Sequence, residues 1–406
     1  MKGCPTPRFL TVIVAAMCIA LLAGTALAQY QTGNIYGKVQ GKDGSVLPGV
    51  TVTLTGVGAP QTSVTDGSGL FRFLNLSPGT YSIKAELAGY GTATRVGVRL
   101  QVAQNADLTM VLNPAVAESI TVTAEAPLLD ARKTGTGTNV PRVELEKIPS
   151  SRDPWTVLQS VPSVMVDRIN VGGTQSGQQS NYIAKGALGR DNSWNMDGVN
   201  ITDMGATGSS PTYYDFETFE EFQITTGGSD PRIQTPGVQL NLVTKRGTND
   251  FKGNGRYLYT PGSLSATASV PNEASNYLFR TNRVNHLREY GGDIGGPIWR
   301  DRIWFWLARG DQKISTWQSI APGQTIVPDD TILRNKNLKL NGQILSSNST
   351  TAFYTFGDKF RNARDLSPTR PFETAYKQTG PTKVYKLQSV SDWYVVKGRW
   401  WLRPVR

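Results

Sequence analysis

Apolar residues fall at alternate positions again and again along this chain. Ile35, Gly37 and Val39 share one phase of a first run, and Val50, Val52 and Leu54 share that of a second. Phe71 and Phe73, then Tyr81, Ile83 and Ala85, then Val96, Val98 and Leu100, then Leu108, Met110 and Leu112 repeat the pattern. A period of two belongs to strands with one buried face and does not fit a helix. Turn chemistry separates the runs at Lys42-Asp43-Gly44, Leu47-Pro48-Gly49, Asp66-Gly67-Ser68-Gly69, Ser77-Pro78-Gly79 and Ala88-Gly89. About seven short strands at this spacing predict a β-sandwich over residues 30–113.

The alternation returns near the other end. Phe251, Gly253, Gly255, Tyr257 and Tyr259 alternate with Lys252, Asn254 and Arg256. Leu338, Leu340, Gly342 and Ile344 alternate with Lys339, Asn341 and Gln343, and Tyr354 with Phe356, Tyr385 with Leu387 and residues 393–401 mark further strands. Seven of the nine tryptophans lie here, at 299, 304, 306, 317, 393, 400 and 401. Aromatic girdles at membrane interfaces give a reason for that concentration.

Residues 130–245 follow a mixed α+β pattern. Residues 142–148 predict a short helix. Asp153-Pro154 is a helix start, with Asp as N-cap and Pro at the first helical position. Trp155 and Leu158 share a face of that helix, and Pro162 ends it. Trp194 and Met196, then Val199 and Ile201, flank Asp197-Gly198, a two-residue hairpin signal. Phe222 with Ile224, and Val238, Leu240 and Leu242 between Gln239 and Asn241, mark two more strands. The glycine pairs Gly172-Gly173 and Gly227-Gly228 suit close backbone approach.

Composition narrows the function. Only 18% of residues are charged, and 42 of 406 are glycine, which suits a turn-rich β protein rather than a coiled coil or a disordered chain. The net charge is +11, but the densest basic spots are the pairs Arg132-Lys133 and Lys245-Arg246. Nucleic-acid binding calls for clustered basic residues, so a solvated surface or loops near anionic head groups explains the charge better. The two cysteines are Cys4 and Cys18, and the single histidine is His286. There is no G-x-S-x-G elbow, Walker A loop or G-x-G-x-x-G turn. We therefore expect no catalytic residues, no metal, no cofactor and no enzyme activity.

The first 28 residues have the layout of a cleavable export signal. Lys2 and Arg8 precede an apolar stretch over residues 9–22, and Ala26-Leu27-Ala28 fits the small-x-small cleavage rule before Gln29. The apolar stretch is too short to span a bilayer comfortably. Cleavage would remove both cysteines and leave the charge near +9.

Between sandwich and mixed domain, residues 114–129 form a linker. It contains Glu118-Ser119-Ile120-Thr121-Val122-Thr123-Ala124, set off by Pro114 and Pro127. An extended segment of high β-propensity can add itself to a partner's sheet edge. The alternative is an edge strand of the sandwich or of the next domain, the plainer reading of the segment taken alone.

Four stretches carry family resemblances. Gly37-Lys38-Val39, Leu47-Pro48-Gly49-Val50-Thr51-Val52, Thr65-Asp66-Gly67-Ser68-Gly69-Leu70-Phe71, Leu76-Ser77-Pro78-Gly79-Thr80-Tyr81 and Ala88-Gly89-Tyr90 resemble the carboxypeptidase regulatory-like domain. That is a transthyretin-like sandwich often grouped with carbohydrate-binding-like folds. The resemblance implies an accessory module without peptidase activity. Tyr90 is the best candidate for a sugar platform, and a turn or core tyrosine is the plainer reading.

Residues 118–124 resemble the TonB box, and residues 130–245 resemble the plug of TonB-dependent outer-membrane receptors, in the Oar-like type that carries the sandwich in front. The plug resemblance rests on Ile148-Pro149, residues 157–164, residues 194–199 and residues 238–249. Residues 291–299 with Ile303-Trp304-Phe305-Trp306 resemble the start of the Oar-like barrel.

The resemblance implies a TonB-type periplasmic energy-coupling protein as partner, contact with outer-membrane lipid and the barrel-assembly machinery, and import of a ligand. The plug loops near Gly172-Gly173 and Ser209-Ser210 are where ligand contact is expected. At about ten residues per membrane strand, residues 246–406 supply roughly six to eight strands. The family barrel has many more, and the chain ends at Arg406 without a terminal aromatic. Because open sheet edges are costly in lipid, the expectation is the N-terminal part of a receptor, with an incomplete barrel. A secreted or surface interaction protein using the sandwich to bind glycan or protein is the alternative.

Overall fold

The computed structural model describes residues 32–391 apart from 115–119, 124–134, 149–150, 169, 171, 211, 229–234, 267–282, 320–325, 346–347 and 368. The export signal and the strand expected at 393–401 lie outside these residues. Among them the fold is almost wholly β, in three parts: a sandwich, a mixed domain and a long-stranded sheet.

The sandwich has the seven strands β1 (Gly33–Gly41), β2 (Thr51–Thr55), β3 (Gln61–Val64), β4 (Leu70–Leu76), β5 (Gly79–Glu86), β6 (Ala93–Leu100) and β7 (Asn105–Leu112). One sheet has the order β4-β1-β7, with β1 and β7 parallel. The other runs β3-β2-β5-β6 and continues into β8 (Ile120–Thr123). Ile35, Val39, Val52, Leu54, Phe71, Phe73, Tyr81, Ile83, Leu108 and Met110 all turn inward, as their alternation predicts. Full burial of such a side chain contributes about 1.5–3 kcal/mol. Gly37 is required by space: a Cβ there would meet the Phe71 ring at 2.2 Å. In the turn at Asp66, the carboxylate accepts from the backbone N–H of Ser68 at 2.8 Å and of Leu70 at 3.0 Å.

One strand departs from the expected alternation. Val98 and Leu100 are buried, but Val96 is not, and Ala93 takes its place in the core. The cause is a bulge: Tyr81 pairs with Val98 but Ile83 with Arg95, and Gly97 takes a φ of 75°. The extra residue flips the phase of everything before it. Tyr90 packs against the sandwich core and bridges to Pro114, which matches the turn-tyrosine reading.

The mixed domain is built on the sheet β13-β12-β15-β14-β9, from β9 (Thr136–Pro141), β12 (Ser193–Met196), β13 (Val199–Asn200), β14 (Phe219–Gly227) and β15 (Gln239–Thr244). The short pair β10 (Val164–Val166) and β11 (Tyr182–Ala184) stands beside it. Asp197 and Gly198 turn β12 into β13 with φ of 46° and 73°, as the Asp-Gly signal predicts. The helix Pro154–Gln159 starts at Asp153, whose carboxylate accepts from Thr156 N at 2.9 Å. Its Trp155 and Leu158 join a core with Trp194, Phe219, Phe222 and Leu240. The first helix is shorter than expected, Arg142–Leu145, with residues 146–148 as turns. All six residues of β15 are buried, polar Gln239 and Asn241 included, because the strand is central and covered on both faces.

The third part is one antiparallel sheet in sequence order: β16 (Lys252–Pro261), β17 (Arg283–Trp299), β18 (Ile303–Ser319), β19 (Ile326–Leu345), β20 (Asn348–Arg364) and β21 (Tyr376–Ser391). Its outward phase is apolar, with Tyr257, Tyr259, Leu307, Leu338, Leu340, Tyr385 and Leu387 exposed. Its inward phase is polar and buried against the mixed domain, at Asn335, Asn337, Lys339 and Asn341. Strands β17–β21 have 16 to 20 residues each. About ten suffice to cross a bilayer.

Two tryptophans do not sit in a girdle. Trp304 and Trp306 fall in the inward phase and are 1% and 2% exposed. Their indole N–H groups donate to Asn249 at 2.8 Å and Asp293 at 3.0 Å, and Arg246 lies over the Trp304 ring, so they pack where the chain passes from the mixed domain into the sheet. Trp299 is exposed, as a girdle position requires.

Candidate functional site

The predicted docking segment lies partly outside the described residues, which include 120–123 but not Glu118, Ser119 or Ala124; Ala26, Ala28 and Gln29 are outside too. Residues 120–123 form β8, paired in parallel with β6 in the register Ala93–Ile120, Thr94–Thr121, Arg95–Val122 and Val96–Thr123. Sequence reasoning favoured a docking segment apart from the sandwich and kept an edge strand as the alternative. In the structure residues 120–123 are that edge strand, extending the sandwich sheet by one, as expected of a β-prone segment beside an open edge.

The sandwich is tied to the mixed domain through one buried acid. Glu221 accepts from Val102 N at 3.2 Å and from Asn139 Nδ2 at 2.7 Å, and the same Asn139 amide donates to Val102 O at 3.0 Å. Ala59 N also reaches Gln343 of β19 at 3.4 Å.

The mixed domain meets the long sheet through three polar clusters. In the first, charges alternate along a chain: Arg142, Glu217, Arg152, Glu289, Arg256, Asp215. The first three and the last belong to the mixed domain, and Glu289 and Arg256 to β17 and β16. Arg152 donates to Glu217 at 2.6 Å and to Glu289 at 2.9 Å, and Arg256 to Glu289 at 2.8 Å. Three cations and three carboxylates cancel, which is what allows them out of water. Burial alone would raise the Glu217 pKa, but Arg142 and Arg152 outweigh it and hold it at about 2. Burial pushes Asp215 up, against the pull of Arg256. Arg152 has a left-handed φ of 59°, unfavourable for a non-glycine residue by roughly 1–2 kcal/mol. The helix starting at Asp153 holds it there.

The second cluster centres on Asp197. Lys339 of β19 donates to both its carboxylate oxygens at 3.0 Å and to Thr244 O at 3.1 Å, and Lys386 of β21 donates to Asp197 O at 2.9 Å. The hairpin thus points its tight turn at the sheet. In the third, Lys359 of β20 donates to Gly177 O and to Tyr213 OH at 3.0 Å, with its ammonium 4.2 Å from the centre of the same ring.

Two glycines make room for the loop carrying Tyr213 and Asp215. A Cβ at Gly310 would stand 2.3 Å from Asp215 Oδ2, and one at Gly357 would stand 2.8 Å from Tyr213 O. Apolar contacts cross this interface too: of the sheet, Phe353 and Val384 join the core of the mixed domain, and Leu287 and Leu333 lie against Gly173 and Gly177. The domain is seated by hydrogen bonds and ion pairs that water can replace.

The expected ligand loops behave differently from each other. Ser210 is fully buried, with its hydroxyl against Tyr214 OH, so it does not face open space. Gly172 has open space around it. Sequence reasoning missed the whole charge chain. Arg256 was visible only as a polar-phase residue of its strand, while Arg142, Arg152, Asp215, Glu217 and Glu289 carried no local pattern.

Comparison with known proteins places names on these parts. Residues 34–113 match the carboxypeptidase regulatory-like domain, and residues 130–239 match the TonB-dependent receptor plug domain. The chain is 28% identical over 301 residues to the TonB-dependent transporter Oar of Myxococcus xanthus, covering 72% of this chain and 28% of that protein. It thus spans just over a quarter of that relative's length. Among solved structures, the siderophore receptor PirA of Acinetobacter baumannii aligns at 16% identity with a TM-score of 0.48, covering 68% of this chain and 40% of that one. The ferric enterobactin receptor of Pseudomonas aeruginosa aligns at 12% identity and 0.46, covering 65% and 40%. At those scores the structural likeness carries no argument about ligand. The domain matches name two of the three parts: the sandwich matches the carboxypeptidase regulatory-like domain and the mixed domain matches the TonB-dependent receptor plug domain, and among the described residues six antiparallel strands follow and pack against the second.

Proposed function

We propose that this chain is the N-terminal part of an outer-membrane TonB-dependent receptor of the Oar-like type, which takes up a ligand too large or too scarce for porins into the periplasm. The single observation that supports this best is the plug seated by polar ties on the inward face of a sheet whose outward face is apolar. Orientation follows from loop lengths. Successive strands are separated by residues 300–302 and 346–347 at one end and by 262–282, 320–325 and 365–375 at the other. Short turns are periplasmic in such barrels and long loops external. The sandwich contact at Gln343 lies at the short-turn end, so the sandwich hangs in the periplasm.

The domain plan is a signal at 1–28, the sandwich at 30–113, a linker at 114–129, the plug at 130–245 and the barrel from 246 onward. Within the linker, residues 118–124 bind the TonB-type coupling protein by strand addition. The chain acts as a receptor, not an enzyme, and reaches the outer membrane through its cleavable signal and the barrel-assembly machinery. Fractionation tests this. The complete gene product should be a heat-modifiable outer-membrane protein whose uptake stops when the proton-motive force is collapsed. Recovery as a soluble periplasmic protein would favour an interaction protein acting through the sandwich.

A further inference from the structure

The docking segment and the sandwich share one sheet, and neither domain match contains β8. The carboxypeptidase regulatory-like match ends at 113 and the plug match starts at 130. The sandwich sheet has recruited a strand from the linker and placed it outermost, in the order β3-β2-β5-β6-β8. Residues in a strand point their N–H and C=O groups to the two sides in turn, so half of those on β8 serve β6 and half face away from the sheet. Among the described residues no strand lies beyond β8. Its outer edge is therefore extended and, among the described residues, not paired with another strand. The sandwich that carries it is tied to the plug through Glu221 and to the long sheet through Gln343.

We propose that the coupling protein adds its strand to the outer edge of β8 while β8 stays paired with β6, so that the sandwich sheet is the docking platform and grows by one strand. This rests on the docking role proposed above for residues 118–124. Two features of the fold favour docking in place. The backbone of β8 is already held extended, so the partner does not have to order a free chain. Parallel pairing to β6 also leaves the opposite row of β8 backbone groups available, so the two neighbours do not compete. A pull on β8 then passes through β6 to the sandwich and, through Val102 and Glu221, to the plug.

A disulfide decides between docking in place and docking after release. Within residues 1–406 the cysteines are Cys4 and Cys18, both in the expected export signal, so no cysteine of residues 29–406 competes with an introduced pair. Thr94 and Thr121 are register partners. Adjacent strands lie about 4.8 Å apart, within disulfide reach. In the complete receptor, Thr94→Cys with Thr121→Cys should cross-link on oxidation and bind the purified periplasmic domain of the coupling protein within about threefold of its reduced form. A loss of tenfold or more that dithiothreitol restores would overturn the proposal, since β8 would then have to leave β6. Failure to cross-link in either this pair or Ala93→Cys with Ile120→Cys would overturn it too, by removing the pairing itself. Val122→Pro separates the underlying reading, because proline deletes a backbone donor. If that variant still binds the coupling protein, residues 118–124 are not the docking segment at all.

Discussion

A methyl group on Gly310 would stand 2.3 Å from Oδ2 of Asp215, so strand β18 must lack a side chain where the plug's acid comes to rest. Gly310→Ala should push the carboxylate away from Arg256. Overpacking of this kind costs about 1–3 kcal/mol. Limited proteolysis of the complete receptor in detergent should show faster cleavage within the plug. Gly255→Ala, with nothing within 4 Å of its Cβ, should leave the cleavage rate unchanged.

Glu217 predicts how the seat responds to acid. Its folded pKa of about 2 is below the ordinary glutamate value of about 4.3. A lowered pKa contributes stability that is complete above the unfolded value and is lost as pH falls toward the folded one. Protease resistance of the plug should therefore hold at pH 5 and above and decline between about pH 4.5 and 2. Glu217→Gln should be less resistant at pH 7, by the equivalent of about 1–3 kcal/mol given partial exposure, and should flatten this decline.

The Lys339–Asp197 pair is buried on both sides, which makes its single and double variants informative. Lys339→Met leaves a carboxylate buried without its main partner, a loss of about 3–5 kcal/mol. Adding Asp197→Asn removes the stranded charge, and asparagine tolerates the left-handed turn that Asp197 occupies. The double variant should melt at a higher temperature than Lys339→Met alone. Equal or lower melting of the double variant would mean that Asp197 acts through its turn and not its charge.

Residues 30–113 contain a complete two-sheet core and should fold alone, with a β-type circular dichroism spectrum and a cooperative melt. Residues 30–129 bring β8 with them. They should melt higher, and the amides of β6 should exchange more slowly with solvent.

Much of this architecture was legible because alternation survives single-residue reading. The phase of Ile35, Val39 and their successors set the sandwich core, and Leu338 and Leu340 against Lys339 and Asn341 set the two faces of the long sheet. Alternation says which face a residue takes, not what covers that face. Trp304 and Trp306 looked like girdle residues and are instead buried on the inward face, against Arg246, Asn249 and Asp293. Val96 lost its phase to a bulge at Gly97. The charge chain was invisible for a related reason. Arg152 and Glu289 are 137 positions apart, and only the folded chain brings them together.

The inner wall that Lys339, Lys359, Asn335, Asn337 and Asn341 present to the plug has one more consequence. Uncorking a vessel lined with oil would strand a dry surface, and the cork would snap back. Here the lining wets. Each amide and ammonium that lets go of the plug can be taken up by incoming solvent, while apolar contacts such as those of Phe353, Val384 and Leu333 resist. A plug seated on such a wall can be held firmly at rest and still be displaced by a modest mechanical pull, leaving behind a passage that water fills by itself.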